Sequence, residues 1–459
     1  MQSPTTLTYK LPDGPVVPGF TTLLTALSPV RIDFDSLTYV TTMAEKFGTF
    51  YGVYRGDKSP RNVTYVISDP KIAHDILVAR NTEFHKAELI RKSIGSVLGN
   101  GLLLSEGDFW KRQRKLAQPA FHYQRISTYA STMVQQTLAM LAGWHSGETR
   151  DIAADMMALA LDLVNRTLFG VELREKADEI GRLMHIVLQA ANDRINQYEP
   201  VWEKLFKTKH KQEVEAEQAL FKIVEDIIAE HRRRGEDTGD LLSMLMAARD
   251  EDDQPMNEQQ LRDEVMTLFI AGHETTASGL AWAFYLLSQN PAAEARLIHE
   301  IASLNGQPPT LNNLQQIPYS EQVAKEVMRL YPPAGGATRQ PIHDMQIGDY
   351  FLPAGSNIAI STYTMHRNPA LFPDPLKFDP DRFSPEREPA IPKYAYLPFG
   401  GGPRVCIGNS FAMMEIRLIL ITVLQRFKLT LAAGQTVRAE QLFTIRPKGG
   451  IKMVLAARV

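Results

Sequence analysis

The chain has 459 residues, and its 50 basic residues nearly balance 52 acidic ones, so that the formal net charge is −2. A balanced charge argues against nucleic acid or an anionic membrane surface as a general partner. Hydrophobic residues make up 44% of the chain, enough for a large core, and the single cysteine excludes an intrachain disulfide and fits a reducing compartment.

The first twenty residues predict no membrane attachment. They contain four prolines and no apolar run, so we expect neither a signal peptide nor a membrane anchor there. The most apolar later stretch, 265–287, is interrupted by polar residues at 273–276 and lacks the 18 uninterrupted apolar residues of a membrane-spanning helix. We therefore expect a cytoplasmic protein of bacterial type.

Two strand-rich regions are predicted on either side of a helical body. The first region, 45–80, holds β-branched and aromatic runs separated by turn-forming residues at 56–60. The helical body covers 85–330, with apolar residues at three- and four-residue spacing and a polar connection predicted at 192–209. Strands are predicted again from 334 to the end of the chain, with a final hairpin from residue 443 onward. No linker divides the chain, so we expect one domain over 1–459.

An acid and a hydroxyl interrupt the most apolar predicted helix. The nine residues at 269–277 read Phe-Ile-Ala-Gly-His-Glu-Thr-Thr-Ala. Polar groups in an apolar helix cost free energy unless they are hydrogen-bonded. Alone, the pattern favours a structural interpretation, with Thr275 bonded to the preceding turn and Glu274 paired with a neighbouring helix.

The stretch around Cys406 has the residue types of an axial metal ligand site. It reads Phe-Gly-Gly-Gly-Pro-Arg-Val-Cys-Ile-Gly over 399–408. Glycines let the backbone pass close to a flat partner, and Arg404 places a permanent cation two residues from the sulfur. An apolar run after Ser410 predicts a helix whose first turn would stabilise a thiolate.

This stretch resembles the haem-ligand signature of the cytochromes P-450, F-x-x-G-x-R-x-C-x-G. The resemblance implies the P-450 fold, a mainly α protein with small β-sheets (α+β), with haem b (iron protoporphyrin IX) between a long central helix and the cysteine-loop helix. It makes Cys406 the axial ligand of the iron, a thiolate that favours O–O cleavage. The other cofactor-binding residues that it implies are Phe399 beside the sulfur, Gly408 on its far side, and Trp110, Arg114, Arg339 and Arg404 at the haem propionates.

Further motifs of the same family match along the chain. The stretch A-G-x-[DE]-T-T of the central helix makes Glu274 and Thr275 the expected catalytic pair, an acid and an alcohol that deliver protons during oxygen activation. The pair E-x-x-R at 326–329 and the stretch 378–383, in which Asp381 replaces the usual Glu, imply a buried charged triad. The members of this structural triad are Glu326, Arg329 and Arg382.

By the same resemblance, the substrate pocket is formed by separate, almost entirely apolar segments. Each position could equally be ordinary core packing. Together they predict an apolar organic substrate, namely a fatty acid, terpenoid, steroid or aromatic compound. The residues expected to line this pocket are Leu102, Leu103, Phe269, Ala271, Ala334, Phe443 and Thr444.

The resemblance implies a haem-thiolate monooxygenase that inserts one oxygen atom from O₂ into this substrate. Electrons would come from a ferredoxin- or flavodoxin-type donor and its NAD(P)H reductase, because no reductase module is visible in the chain. A monomer is expected. Basic residues near Trp110 (Lys111, Arg112 and Lys115, with Lys393) are either a solvated face or a docking site for the acidic donor.

Two alternatives stay open at this point. The first is a haem-thiolate peroxygenase or isomerase, which would not need the Glu274–Thr275 pair. The second is a non-catalytic haem protein that binds small molecules without converting them.

Overall fold

The computed structural model describes residues 11–17, 35–55, 63–171, 177–195, 208–234, 239–249 and 253–458. It confirms the predicted class, a mainly helical protein with small sheets. The α-helices of the described part are α1 (Ser36–Phe47), α2 (Pro70–His74), α3 (Glu88–Leu98), α4 (Gly107–Ala117), α5 (Tyr123–Ile126), α6 (Ala130–Leu141), α7 (Ile152–Leu168), α8 (Ala177–Ile195), α9 (Thr208–Arg234), α10 (Leu241–Ala247), α11 (Glu258–Gln289), α12 (Pro291–Ile301), α13 (Tyr319–Leu330), α14 (Thr362–Met365) and α15 (Asn409–Arg426).

The strands form one six-stranded sheet and three smaller ones. The large sheet has the order β1-β2-β3-β9-β6-β4, so it joins strands from both predicted strand-rich regions, with β3 and β9 parallel. The smaller sheets are β10-β13-β5, β11-β12 and β7-β8. The strands are β1 (Val16–Val17), β2 (Phe50–Arg55), β3 (Val63–Ile67), β4 (Phe84–His85), β5 (Thr149–Asp151), β6 (Gly336–Pro341), β7 (Met345–Ile347), β8 (Tyr350–Leu352), β9 (Asn357–Ser361), β10 (Phe427–Leu431), β11 (Ala439–Gln441), β12 (Ile445–Pro447) and β13 (Lys452–Ala457).

The final hairpin differs from the prediction. The strand β12 pairs with β11, and β13 pairs with β10 instead of folding back onto β12. Gly449 and Gly450 both have positive φ between β12 and β13, so the chain changes direction there and continues into another sheet. The turn predicted at 56–60 and most of the connection predicted at 192–209 lie outside the described residues.

The 32-residue helix α11 runs through the main core. It begins at a capping box in which Asn257 and Gln260 satisfy each other's backbone N–H groups. Buried residues occur all around it, as expected for a helix enclosed by others. It packs against α7 and against α15, which directly follows the cysteine loop.

Among the described residues, no helix is long and apolar enough to cross a membrane.

Candidate active site

Glycines shape the loop that presents Cys406. The Cys406 N–H donates to the Phe399 carbonyl at 2.9 Å, which closes the loop just before α15 begins. Gly402 has φ +69°, and a Cβ there would lie 1.9 Å from the Leu77 carbonyl oxygen. Gly400 also has positive φ, +73°. Both positions therefore favour glycine because of their backbone conformation, and Gly402 also requires it because the Leu77 carbonyl leaves no room for a side chain.

Cys406 is accessible although protein surrounds it. Its side chain is exposed, yet burial raises the pKa of the thiol, while the Gly408 N–H and the Arg114 guanidinium act to lower it. The Arg114 guanidinium also donates to the Val405 carbonyl at 2.7 Å, so it fixes the loop backbone next to the sulfur. The net direction favours the neutral thiol, and a coordinating metal ion would favour the thiolate.

Three basic side chains converge beside this loop, and we call Lys86, Arg339 and Arg404 the cation cluster. Burial and the charge of Arg404 lower the pKa of Lys86 to about 6 and that of Arg339 to about 10, so Lys86 is mostly neutral at pH 7 while both guanidinium groups stay charged. Glu106 forms an ion pair with Arg404 and acts to raise both pKa values, but one carboxylate does not balance two guanidinium groups. The cluster therefore fits an anionic ligand, whose charge would also favour the protonated form of Lys86, and the propionates of haem are such groups.

The predicted propionate ligands differ in their surroundings. Trp110 is half-buried, and the Arg404 guanidinium lies 4.2 Å from its ring centroid, in cation–π contact. Arg404 also donates to the Ser105 carbonyl at 2.9 Å. Lys86 and Glu106 were missed because neither belongs to a motif. A possible signal for Glu106 is its position one turn before Trp110.

In the middle of the central helix, between residues 263 and 284, the accessible residues lie on one strip. Ala271 is exposed and Thr275 half-buried, whereas most of their neighbours on α11 are buried. The two positions are four residues apart and so share a face. Between them, Gly272 serves packing, since a Cβ there would lie 2.9 Å from Val164 on α7. This strip is the part of α11 that a small ligand can reach.

Glu274 and Thr275 each have a separate partner. The Thr275 hydroxyl donates to the Ala271 carbonyl at 2.8 Å. Glu274 is buried and accepts from the Thr444 hydroxyl at 2.8 Å, while its Oε2 has no hydrogen-bond partner among the described residues. Burial raises the pKa of Glu274, which favours a neutral acid able to donate a proton.

The residues predicted to line the pocket divide into accessible and buried groups. Leu103, Ala271 and Ala334 are exposed, and Phe443 is half-buried. Two other residues predicted to line the pocket are buried. Phe269 is fully buried against Phe169, with 6.2 Å between ring centroids, and the buried Thr444 is engaged by Glu274. Both burials result from contacts with other elements, which the sequence pattern does not show. Leu102 is 8% exposed and its backbone is hydrogen-bonded on both sides.

The structure brings Glu326, Arg329 and Arg382 together. Arg329 donates to both carboxylate oxygens of Glu326, at 2.7 and 2.8 Å, and both side chains are fully buried. Arg382 Nε lies 3.4 Å from Glu326 Oε1. The remaining Arg329 donors reach backbone carbonyls, including that of His366 at 2.7 Å. Glu326 and Arg329 are thus paired and hydrogen-bonded, as buried ions require, while Arg382 adds an ion pair to Glu326 without a hydrogen bond from its Nε.

His366 connects this triad with the chain leading to the cysteine. Its Nδ1 lies 3.1 Å from the Arg329 carbonyl, and its Nε2 accepts from the Leu397 N–H at 2.9 Å. This pairing requires a neutral imidazole with its proton on Nδ1. Burial and the Arg329 charge lower the pKa of His366 to about 3, which keeps it neutral.

A second buried acid, Glu415 on α15, was not predicted. It is fully buried near Thr276 of α11, and burial raises its pKa to about 8, while neither of its carboxylate oxygens has a hydrogen-bond partner among the described residues. Thr276 directly follows Thr275 on α11, and Gly279 lets α11 pack closely on Ile416. The helix that follows Cys406 therefore packs directly against the helix that carries Glu274 and Thr275.

Comparisons with known proteins agree with this site. A family model described as Cytochrome P450 matches residues 18–453. The chain is 35% identical over 399 residues to Cyclooctatin synthase of Streptomyces melanosporofaciens, covering 86% of each chain. It is 36% identical over 376 residues to Cyclooctat-9-en-7-ol 5-monooxygenase of the same organism, covering 81% of this chain and 82% of the relative.

A solved structure shows the same fold. The crystal structure of the cytochrome P450DA heme domain superposes with a TM-score of 0.85 at 24% identity, covering 98% of both chains. The family match extends over nearly the whole chain and includes the cysteine loop and the central helix. The chain therefore belongs to the cytochrome P450 family and is a haem b-dependent monooxygenase, an oxidoreductase.

Proposed function

We propose that this monooxygenase inserts one oxygen atom of O₂ into a cyclic, apolar substrate of the terpenoid class. The accessible strip of α11 carries this proposal, because it offers an apolar Ala271 beside the hydroxyl of Thr275. The exposed Leu103 and Ala334 and the half-buried Phe443 add further apolar surface. A relative that is 36% identical is named a monooxygenase of cyclooctat-9-en-7-ol, which supports a ring compound.

Each side chain of the site has a proposed role toward the haem. When bound, the haem would supply the activation of O₂, and the Cys406 thiolate would hold its iron. Arg339, Arg404 and Lys86 hold the propionates, with Trp110 supporting Arg404 by its ring face. Arg114 acts through the loop backbone, which it holds at the Val405 carbonyl. Phe399, whose carbonyl binds the Cys406 N–H, shields the sulfur from water.

Glu274 and Thr275 are proposed to deliver protons from the α11 side. Burial raises the pKa of Glu274 and so favours its protonated form, and its Oε2 has no hydrogen-bond partner in the described residues that would retain the proton. The Thr275 hydroxyl donates its hydrogen bond to the Ala271 carbonyl, so its lone pairs can accept a hydrogen bond from water or from a substrate hydroxyl. The pair is therefore arranged as an acid and a relay.

Removing the Thr275 hydroxyl is expected to separate electron use from product formation. Wild-type enzyme supplied with NAD(P)H, redox proteins and O₂ should form product, and peroxide alone should replace them poorly. In Thr275→Ala, haem binding should be unchanged, product formation should fall about 100-fold, and the electrons should appear as peroxide. Product, NAD(P)H and peroxide are measured in the same reaction.

Thr275→Ser is the matched control, because it keeps the hydroxyl and should retain most of the coupling. Full coupling in Thr275→Ala would contradict the role of this residue. Efficient turnover of the wild type by peroxide alone would favour the peroxygenase alternative. If the substrate binds but no product forms under any condition, the non-catalytic alternative would stand.

We propose that the electron donor is an acidic protein of the ferredoxin or flavodoxin type, reduced by an NAD(P)H reductase. A surface cavity of about 450 Å³ lies beside the cysteine loop and is bordered by Lys111, Lys115, Arg114 and Pro403. Both lysines are exposed, and Arg114 contacts the backbone next to Cys406. An acidic donor in this groove would thus lie beside the loop that carries Cys406.

The double substitution Lys111→Glu and Lys115→Glu is expected to slow reduction by such a donor about tenfold at low salt, because charge complementarity mainly accelerates encounter. Increasing salt should slow the wild type and reduce the difference. Stopped-flow reduction measures the rate. Lys222→Glu, an exposed lysine on α9 outside the groove, is the control. An equal effect of the control variant, or none in the double variant, would contradict this docking site.

A further inference from the structure

The loop 99–106 is attached directly to the first half of α11. The Asn100 N–H donates to Asp263 Oδ2 at 2.8 Å, and the Leu102 N–H donates to Glu264 Oε2 at 3.0 Å. Both acids are almost fully buried, at 5% and 1% exposure. Two successive side chains of the helix thus accept from backbone donors of the same loop.

The two glycines of this loop allow the close approach. Gly99 has φ +54°, and a Cβ there would lie 2.2 Å from the Asp263 carboxyl group. At Gly101 a Cβ would lie 2.2 Å from Thr267 Oγ1 and 2.5 Å from the Asp263 carbonyl oxygen. Any side chain at either position would push the loop away from α11.

The same loop is attached to the cysteine loop at its other end. The Ser105 carbonyl accepts from Arg404 at 2.9 Å, and Glu106 forms an ion pair with the same guanidinium. Lys86 Nζ donates to the Leu102 carbonyl at 3.1 Å, so both backbone groups of Leu102 are bound by buried ionisable side chains. The loop therefore spans from the central helix to the cysteine loop with Leu102 fixed between them.

The side chain that this arrangement presents is Leu103. It is 38% exposed, whereas Leu102 and Leu104 on either side are 8% and 2% exposed. A large apolar side chain that is exposed to solvent, next to a backbone fixed by hydrogen bonds, is suited to contact an apolar ligand.

We propose that Glu264 is a positioning residue for substrate recognition: by holding the Leu102 N–H, it fixes Leu103 as one wall of the substrate site. This inference rests on the proposed function, because it assigns Leu103 to the wall of that site. Two observations support a role beyond stability. Glu264 and Lys86 together bind both backbone groups of Leu102. Both side chains are ionisable, and burying such groups costs free energy.

The test uses haem-loaded enzyme and two iron ligands as probes. Imidazole is small, whereas 4-phenylimidazole carries an apolar ring that must pass the pocket wall. Spectral titration gives both dissociation constants and their ratio. We expect Leu103→Ala and Glu264→Leu to change this ratio by at least about threefold, with imidazole affinity nearly constant. Glu264→Gln keeps an acceptor oxygen and should stay within about twofold of the wild type.

The double variant decides whether the two residues act together. If Glu264 acts through Leu103, the combined change should be smaller than the sum of the single effects. An unchanged ratio in Leu103→Ala or in Glu264→Leu, or strict additivity, would overturn the proposal. Should Glu264→Leu not fold, Glu264→Asp replaces it, since the shorter acid withdraws the oxygen from the Leu102 N–H. These titrations need no turnover, so they remain decisive if the proposed reaction fails.

Discussion

Replacing Glu326 with alanine is expected to lower the free energy of unfolding by about 3–5 kcal/mol and to leave little haem-loaded protein. The change leaves Arg329 fully buried without the carboxylate that binds two of its nitrogens. It also removes the acceptor of the Asp379 N–H, which lies 2.9 Å from Glu326 Oε1. Because Arg329 and His366 connect this triad with Leu397, the disturbance should extend to the cysteine loop. Denaturant unfolding and the ratio of haem to protein measure both effects.

Glu321→Ala is the matched control on the same helix. Glu321 is 44% exposed and pairs with Lys325 and Arg417, and such surface pairs contribute at most about 1 kcal/mol. Arg329→Lys should resemble Glu326→Ala, because an ammonium group cannot occupy the sites of a forked guanidinium. Normal haem content and stability in Glu326→Ala would show that the triad is dispensable.

Replacing Cys406 with serine is expected to abolish thiolate ligation and to lower monooxygenase activity by roughly three orders of magnitude or more. A serine hydroxyl is a far weaker electron donor than a thiolate. In the reduced, carbon-monoxide-bound protein, the red-shifted Soret absorption of the wild type should disappear. Haem can remain bound through the cation cluster, so the haem content of Cys406→Ser should fall less than the red-shifted absorption.

A second readout uses the fact that Cys406 is the single cysteine of the chain. Its side chain is accessible, so a thiol reagent should label the apoprotein once, and haem loading should prevent the labelling. Cys406→Ser should show no labelling in either form. Persistence of the red-shifted band in Cys406→Ser, or equal labelling with and without haem, would contradict axial ligation by this residue.

Most of the fold follows from local patterns. The apolar spacing of the helical body at 85–330 predicts helices that the structure contains. The pairing of strands that are distant in sequence could not be predicted from local patterns. That β3 pairs with β9, and β13 with β10, depends on packing between segments far apart in sequence. The final hairpin was wrong for this reason, since two consecutive strands need not be neighbours in a sheet.

The site was predictable where a contiguous motif carries it. The cysteine loop, the accessible strip of α11 and the E-x-x-R pair are short patterns whose residues lie within one element. Lys86, Glu106 and Glu264 could not be found in this way, because their roles depend on which segments meet in space. Phe269 and Thr444 remain predicted pocket residues, and their burial results from contacts with Phe169 and Glu274 in other segments.

The cation cluster has a consequence for how much of this protein a cell can accumulate. The two buried guanidinium groups repel one another until an anionic ligand joins them, so the folded state should gain stability by mass action as cofactor is supplied. At a free concentration a thousandfold above its dissociation constant, a ligand adds about 4.1 kcal/mol. Chains made faster than porphyrin becomes available would spend longer partly open and exposed to proteases. We therefore expect the cellular yield of this protein to rise with the supply of iron and porphyrin.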